Sequence, residues 1–359
     1  MNDACLKEES AKGAATAAEP RRRPGGWAVW EEMAWLLGAG VALASVLGLL
    51  GDRPWFLDLM SHFRLQYAAL LLPICGLMAA RRRWRSAAVF AVALGLNAAL
   101  LGPLWWGGDQ PAGAGPSLRL VVFNVYAGNT RRDAAARWLA EQDADVIVVE
   151  EVNAAWVTEL DAGLPGYRRL DTPTVRDDNF GMAVFLRRGL GLDGVTAELD
   201  AARVPRIDLR LDLAGRWVRV LGVHTMPPVG AAGSEVRAAQ LETVGLLVRD
   251  AVEPIVVAGD FNATPWSAPF RRLLRDAGLR DSARGFGYHG TWPSTLWWTG
   301  MIPIDHVLIS PRWRVEDRRI GPDLGSDHRA VVVDLTLTPP AESASKLSSG
   351  QDSASAPPH

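Results

Sequence analysis

The chain has 359 residues, with 38 Lys and Arg against 40 Asp and Glu, and 48% of it is apolar. A formal charge of −2 argues against a polyanion-binding surface spread over the whole chain. Two cysteines, Cys5 and Cys75, exclude a disulfide-stapled scaffold, and beyond Cys75 no disulfide is possible, which fits an oxidising compartment without requiring one.

That average conceals a division, because the first third is far more apolar than the rest. Residues 1–32 carry the triplet Arg21–Arg23 and are expected to form a disordered cytoplasmic segment. Residues 33–106 are expected to be a membrane anchor of three transmembrane helices, from the apolar runs Ala34–Leu50, Leu65–Ala80 and Ser86–Trp106. A span needs about 20 mostly apolar residues, or about 17 at the short end. The second run is short, holds Gln66 and Pro73, and needs Arg64 and Arg81 to snorkel. Core helices of a soluble domain would also be apolar, but Trp27, Trp30, Trp55, Trp84, Trp105 and Trp106 sit near the run ends as interfacial belts do.

Arginine sets the orientation. "RRR" at 21–23 and "RRRWR" at 81–85 place those two ends in the cytoplasm. Everything after Trp106 then lies outside, giving a multi-pass cell-membrane protein with an extracytoplasmic domain. A signal peptide cleaved near Ala42-Leu43-Ala44 is a rival explanation of the first run, and it leaves the later part outside as well.

Residues 107–117 form a Gly/Pro linker, and residues 339–359 a polar, low-complexity tail expected to be disordered. Between them, 118–338, apolar runs recur. "LRLVVFNVY" precedes a helical "TRRDAAARWLAEQ" and then "DVIVVEEV". Later come "GMAVFL", "RIDLRLDL", "RWVRVLGVHT", a helical "SEVRAAQLETVGLLVRD", "PIVVAGDFN", "PIDHVLIS" and "HRAVVVDLTL". The Val/Ile-rich runs suit strands, and their irregular alternation with helices predicts one or two mixed sheets.

Polar residues interrupt these runs at particular places. Asn124, Glu151, His224 and the pair Asp260 and Asn262 fall at or near strand carboxyl ends, whereas Asp305 and Asp327-His328 fall at strand starts. In antiparallel neighbours the end of one strand lies beside the start of the next, so one sheet edge can gather them all. As core residues they would be expensive. Carboxylate, carboxamide and imidazole without thiol suit a hard cation such as Mg²⁺. His328 could take a proton from water, with a nearby acid orienting its ring. Metal-assisted hydrolysis of a phosphate ester follows.

The segments "FNVY", "DVIVVEEV", "GVHT", "GDFNATP", "IPIDHVLIS" and "GSDHRAVV" resemble, in order and spacing, the endonuclease/exonuclease/phosphatase superfamily over about Leu118–Leu337. The resemblance implies a four-layer α/β sandwich, two mixed β-sheets flanked by helices, and an Mg²⁺- or Mn²⁺-dependent phosphoric ester hydrolase. It implies Glu151 as principal metal ligand, with Asn124 beside it and Asp327 as a further ligand. Glu150 stands where a glutamine is common and is the weaker candidate. Asp260 would position or deprotonate the attacking water, Asn262 would hold the phosphate, His328 would be the essential histidine, and Asp305 its orienting acid. His224 would bind phosphate or serve the leaving group.

Other polar residues have plainer explanations. His306 is expected to be structural, Arg237 and Gln240 to form a solvated helix face, and Asn179 to be loop polarity. His289 lacks motif support. Residues 118–337 carry 26 Arg and no Lys against 29 Asp and Glu, a formal charge of −3 that disfavours a nuclease. A lipid phosphate of the envelope is the favoured substrate. A membrane-tethered endo- or exonuclease and a non-catalytic envelope module are the alternatives. The loop "TWPSTLWWTGM" just before Asp305 is expected near the active edge, with Trp297 and Trp298 touching either lipid or bases, or merely packing. The bilayer and the phosphoester are the partners inferred, and no protein partner is.

Overall fold

The computed structural model describes residues 26–108, 115–297 and 299–338, with the side chains of 26–28 not described. Most of the expected disordered amino-terminal segment, the middle of the linker, Trp298 and the expected tail therefore lie outside the described residues.

Three helices open the chain: α1 (Gly26–Leu47), α3 (Arg64–Ala80) and α4 (Trp84–Leu101), with a five-residue helix, α2 (Trp55–Leu59), between the first two. Helix α1 starts inside the segment expected to be disordered, and its first half is fastened by Glu31 to Arg81 and Arg83, at 3.3 and 2.7 Å. The three long helices share a core that includes Val41, Leu71, Met78 and Phe90.

The expectation of three transmembrane helices is corrected to two candidate spans. Among the described residues, only Val29–Leu47 and Trp84–Leu104 are helices long and apolar enough to cross a membrane. At 1.5 Å per residue, the 17 residues of α3 reach about 25 Å, short of a hydrocarbon core about 30 Å thick. Arg64 does not snorkel. It is fully buried and donates to Ser45 O at 2.6 Å, while Asn97 donates to Ser45 Oγ at 2.8 Å, because a buried guanidinium must find acceptors inside the bundle.

Two six-stranded mixed sheets follow. The first has the order β11-β12-β1-β2-β4-β3, from β1 (Ser117–Asn124), β2 (Val146–Glu150), β3 (Tyr167–Arg169), β4 (Met182–Arg187), β11 (Trp313–Ile320) and β12 (Val331–Leu337). The second runs β5-β6-β7-β8-β10-β9, from β5 (Gly191–Leu199), β6 (Pro205–Asp212), β7 (Trp217–His224), β8 (Ile255–Asp260), β9 (Arg280–Asp281) and β10 (Asp305–Ile309). Each sheet holds one parallel pair at its centre, β1/β2 and β7/β8. Every other pairing is antiparallel.

Side-chain alternation builds the layers. Leu120, Val122, Val146 and Val148 of one sheet face Val220, Val256, Ala258 and Val307 of the other in a dry central core. The opposite faces bury helices: α5 (Arg132–Glu141) and α6 (Ala154–Gly163) on the first sheet, α7 (Gly230–Arg249) and α8 (Ala268–Asp276) on the second. The architecture is thus helix, sheet, sheet, helix. The alternation of "RIDLRLDL" appears in β6 as buried and half-buried positions in turn.

Candidate active site

The inward-facing alternation places the polar groups where the central core opens. His224 pairs in register with Asp260 across the parallel β7/β8 ladder, and Asp305 pairs with Asp260 across the antiparallel β8/β10 ladder. One row of the second sheet therefore reads His224, Asp260, Asp305. Opposite it the first sheet ends in the register pair Asn124 and Glu150. The strand ends and strand starts singled out in the sequence do share one edge.

Gly259 is required by close approach. A Cβ there would collide with Val223 O and lie 2.6 Å from Glu150 Oε1. Phe261 turns to the other face and packs edge-on against Phe270 of α8. Asn262 is not set by strand alternation, as the sequence suggests, because β8 ends at Asp260 and Asn262 takes φ +45°. Its backbone N–H donates to Asp260 Oδ1 at 2.8 Å and its side-chain amide to Thr225 O at 2.8 Å.

His328 meets Asp305 through Nδ1, 3.0 Å from Oδ2 and 3.2 Å from Oδ1, and its Nε2 lies 3.8 Å from Asp260 Oδ2. Burial opposes the charged ring, but Asp305 and then Asp260 outweigh it, raising His328 to about 10. Asp260 is pushed up to about 7, by burial first and then by repulsion from Asp305. His224 moves the other way, to about 4, through burial and the positive charge of His328. Its 3.7 Å approach to Asp260 is consequently that of a neutral ring, held against Phe180 with centroids 5.2 Å apart.

Asn124 Nδ2 donates to Glu151 Oε1 at 3.0 Å and to Asp260 Oδ2 at 3.3 Å, bridging the two sheets, while its Oδ1 accepts from Tyr126 N. Glu151 lies just past β2 at φ +59°, and its Oε2 accepts from Ala127 N at 3.3 Å. Burial raises its pKa. Asp327 accepts from Trp292 Nε1 at 3.2 Å and keeps a buried, unpartnered Oδ1.

Glu150, the weaker candidate of the two adjacent acids, also reaches this edge. Fully buried, it accepts from Asp260 N at 2.9 Å across the two sheets, and its Oε2 has no partner. Burial, then Asp260 and Asp305, push its pKa well above the usual carboxylate value. The signal was an acid at an inward position of an otherwise apolar strand.

The remaining expectations divide. His306 is structural, bonded to Asp281 at 3.0 Å and Ala263 O at 2.9 Å. Asn179 stays exposed in its loop. Arg237 and Gln240 are corrected: both are buried rather than solvated. Gln240 accepts from Met226 N at 2.7 Å and donates to Asp200 at 2.6 Å, so α7 presents polar side chains to the loops that it covers.

The donor set fits a hard divalent cation. Five carboxyls, Glu150, Glu151, Asp260, Asp305 and Asp327, surround one imidazolium, and the unpartnered Asp327 Oδ1 is a free oxygen ligand. Ligand atoms of Asp260, Asp305 and His328 lie within 4.8 Å of one another. Within that trio Asp305 is hydrogen-bonded to His328 Nδ1 at 3.0 Å, whereas His328 Nε2 and Asp260 Oδ2 are 3.8 Å apart, beyond hydrogen-bond reach.

A two-sheet sandwich with acids, amides and imidazoles at one edge defines a class of metal-assisted phosphoesterase-like sandwiches. Residues 121–328 match the Endonuclease/Exonuclease/phosphatase family, and the chain belongs to that family. Its members are generally phosphoester hydrolases. No curated protein matches the chain in sequence. Among solved structures, an endonuclease/exonuclease/phosphatase from Bacteroides vulgatus superposes with TM-score 0.53 and 20% identity, over 62% of this chain and 99% of its own. A functionally unknown conserved protein from Enterococcus faecalis V583 gives 0.52 and 17%, over 61% and 100%. D. rerio TDP2 with a single-strand DNA product gives 0.50 and 16%, over 61% and 99%.

Proposed function

We propose that the protein is a divalent-metal-dependent phosphoester hydrolase, Mg²⁺- or Mn²⁺-loaded, anchored in a membrane by residues 33–106. Its catalytic domain, 118–338, faces away from the cytoplasm and acts on a lipid phosphate. The observation that carries the reaction class is the row His224, Asp260, Asp305 closed by His328, beneath the bridge from Asn124 to Glu151.

Glu151 and Asp327 would hold the cation, with Asn124 joining them if its amide turns over. When bound, the ion would polarise the phosphoryl oxygens and offset their charge. The chain's own residues divide the remaining work. Asp260, poised at about 7, is the better proton acceptor for the attacking water. His328 is charged at neutral pH, which suits charge stabilisation at the phosphoryl group rather than the base role its sequence position suggests. Asp305 orients its ring. Asn262 and His224 flank Asp260 and are suited to hold phosphate oxygens or the leaving group.

The membrane reading is supported by helix surfaces. Only 22% and 39% of the two candidate spans is buried, too little for core helices, and Trp30, Leu36, Leu43, Leu72 and Val92 are all at least half exposed. Arg81 and Arg83 lie at the end of the bundle where α1 begins, whereas the Gly48–Phe63 loop lies against the sandwich. This arrangement suits the positive-inside rule with the sandwich outside.

A lipid substrate is favoured over nucleic acid by the aromatic loop. Trp297 is 76% exposed, and the backbone of its loop is held by Gln66, in the first turn of α3, through Thr299 O at 2.8 Å and Met301 O at 3.2 Å. Trp292, bonded to Asp327, links the loop to the site. Detergent-solubilised protein should be offered plasmid DNA, a polyprenyl pyrophosphate and a phospholipid, each with Mg²⁺ or chelator and with His328→Ala as control. Hydrolysis of a lipid phosphate that requires both metal and His328 is expected. Activity surviving chelation or that substitution would overturn the mechanism, and cleavage of DNA alone would overturn the substrate class.

A further inference from the structure

The loop between α1 and α3 does more than connect two helices. Asp58, 1% exposed, accepts from Arg237 Nη2 at 2.6 Å, from Ser267 Oγ at 2.9 Å and from Ala268 N at 2.8 Å, the last of these at the start of α8. Arg237, also 1% exposed, uses its other nitrogen, Nη1, on Asn262 O at 2.5 Å. Four residues along, His62 Nδ1 sits 2.9 Å from Thr264 Oγ1 and 3.3 Å from Thr264 N. Trp266 Nε1 donates to Leu100 O at 3.0 Å, near the end of α4. Every second residue from Asn262 to Trp266 is thus tied, directly or through Arg237, to the amino-terminal helices.

We propose that Asp58 and Arg237 are positioning residues, through which the helical anchor holds the Asn262–Trp266 loop, and with it the Asn262 amide, in register with Asp260. The anchor is then a working part of the catalytic site and not only a tether. This rests on the assignment of Asn262 to phosphate under the proposed function.

The guanidinium makes the link because its planar fork can serve two acceptors at once. An ordinary packing role for the pair is the competing explanation, and it predicts different variant behaviour. A buried ion pair adds little net stability over an apolar pair of similar volume. Asp58→Asn with Arg237→Met removes the charge pair while the asparagine carbonyl can still accept from Ala268 N, and should therefore leave the full-length protein folded, with a melting temperature near that of the wild type. It also removes the hold on Asn262.

The experiment measures three quantities on full-length protein in detergent for Asp58→Asn/Arg237→Met and, separately, Arg237→Lys. The lysine keeps the charge opposite Asp58 but loses the fork. The expected result for both is a melting temperature within a few degrees of wild type, faster hydrogen exchange confined to residues 262–268, and a kcat lowered about 10- to 100-fold with KM changed much less. Unchanged exchange in 262–268 in a folded variant would overturn the proposal. So would local loosening with undiminished kcat, or parallel loss of stability and activity that Arg237→Lys fully restores. If the wild type hydrolyses no phosphate ester, the proposed function falls, while the exchange measurement still decides whether the anchor holds this loop.

Discussion

Asp305 starts β10 of the second sheet and His328 lies in the loop before β12 of the first, and their side chains meet at 3.0 Å, both almost wholly buried. Removing the carboxylate while keeping its shape should leave the ring without the partner that sustains its charge. Asp305→Asn is expected to lower kcat by about 10²- to 10⁴-fold, the range for a displaced or wrongly protonated catalytic imidazole. NMR of labelled His328 should show its pKa falling. A folded Asp305→Asn protein with wild-type turnover would remove His328 from the chemistry.

Glu150 separates charge from hydrogen bonding. Glutamine keeps its shape, and the glutamine carbonyl can still accept from Asp260 N. Glu150→Gln should retain activity within about tenfold, whereas Glu150→Leu leaves a buried N–H unpaired, at a cost of about 1–3 kcal/mol, and should lower both stability and kcat. Equal damage by both substitutions would mean that the carboxylate is ionised and needed as such.

Cation binding should be visible without turnover. A ligand at 100 times its Kd stabilises the native state by about 2.7 kcal/mol. Saturating Mg²⁺ or Mn²⁺ should therefore raise the melting temperature by several degrees relative to chelator. Glu151→Gln is expected to abolish that shift with little change in the chelated baseline. A shift that persists in Glu151→Gln would move the cation elsewhere.

Acid should loosen the hold of the anchor on the sandwich. Burial lowers His62 to about 4, so it is neutral in the fold and binds a proton more readily when unfolded. The unfolded state therefore takes up more protons between pH 6.5 and 4, and stability falls as pH falls through that window. For a fully buried imidazole the loss is on the order of 3 kcal/mol. His62→Asn keeps an acceptor for Thr264 N and should flatten the decline in chemical-denaturation experiments. An unchanged slope would show that His62 is not the sensor. His224 and His289, lowered to the same value, contribute in the same direction, whereas Asp260, raised to about 7, opposes them over the same window, so the share of His62 is the difference between the wild-type and His62→Asn slopes.

The exposed ring of Trp297 offers a test of the membrane substrate. Trp297→Ser should reduce turnover of a lipid phosphate in vesicles by about tenfold, as expected when an interfacial aromatic anchor is lost. A small soluble phosphate ester should be hydrolysed as before. Equal effects on both substrates would assign the loop to packing.

Much of this site is legible in the chain because its residues sit at strand boundaries. Asn124, His224 and Asp260 end apolar runs and Asp305 begins one, and a register of parallel and antiparallel partners brings them together. Arg237 was misjudged for a different reason. Helical spacing shows that it lies on one face of α7, but not that Asp58, 179 residues earlier, reaches over that face and buries it. Arg64 misled in the same way, since the acceptor that draws it inward is a carbonyl on another helix.

What the sequence determined by itself is the eight inner strands, the apolar helices and the polar residues at their ends, because alternation and hydropathy are local properties of the chain, whereas the edge strands β3, β5, β9 and β11 are not marked by either. Tertiary structure alone decided that Glu150 lies buried against Asp260 N, that His328 is charged while His224 is not, and that the amino-terminal helices hold the loop that carries Asn262. Each of these depends on burial and on a partner far away in sequence. Desolvation and long-range hydrogen bonds leave no periodic trace in the order of residues.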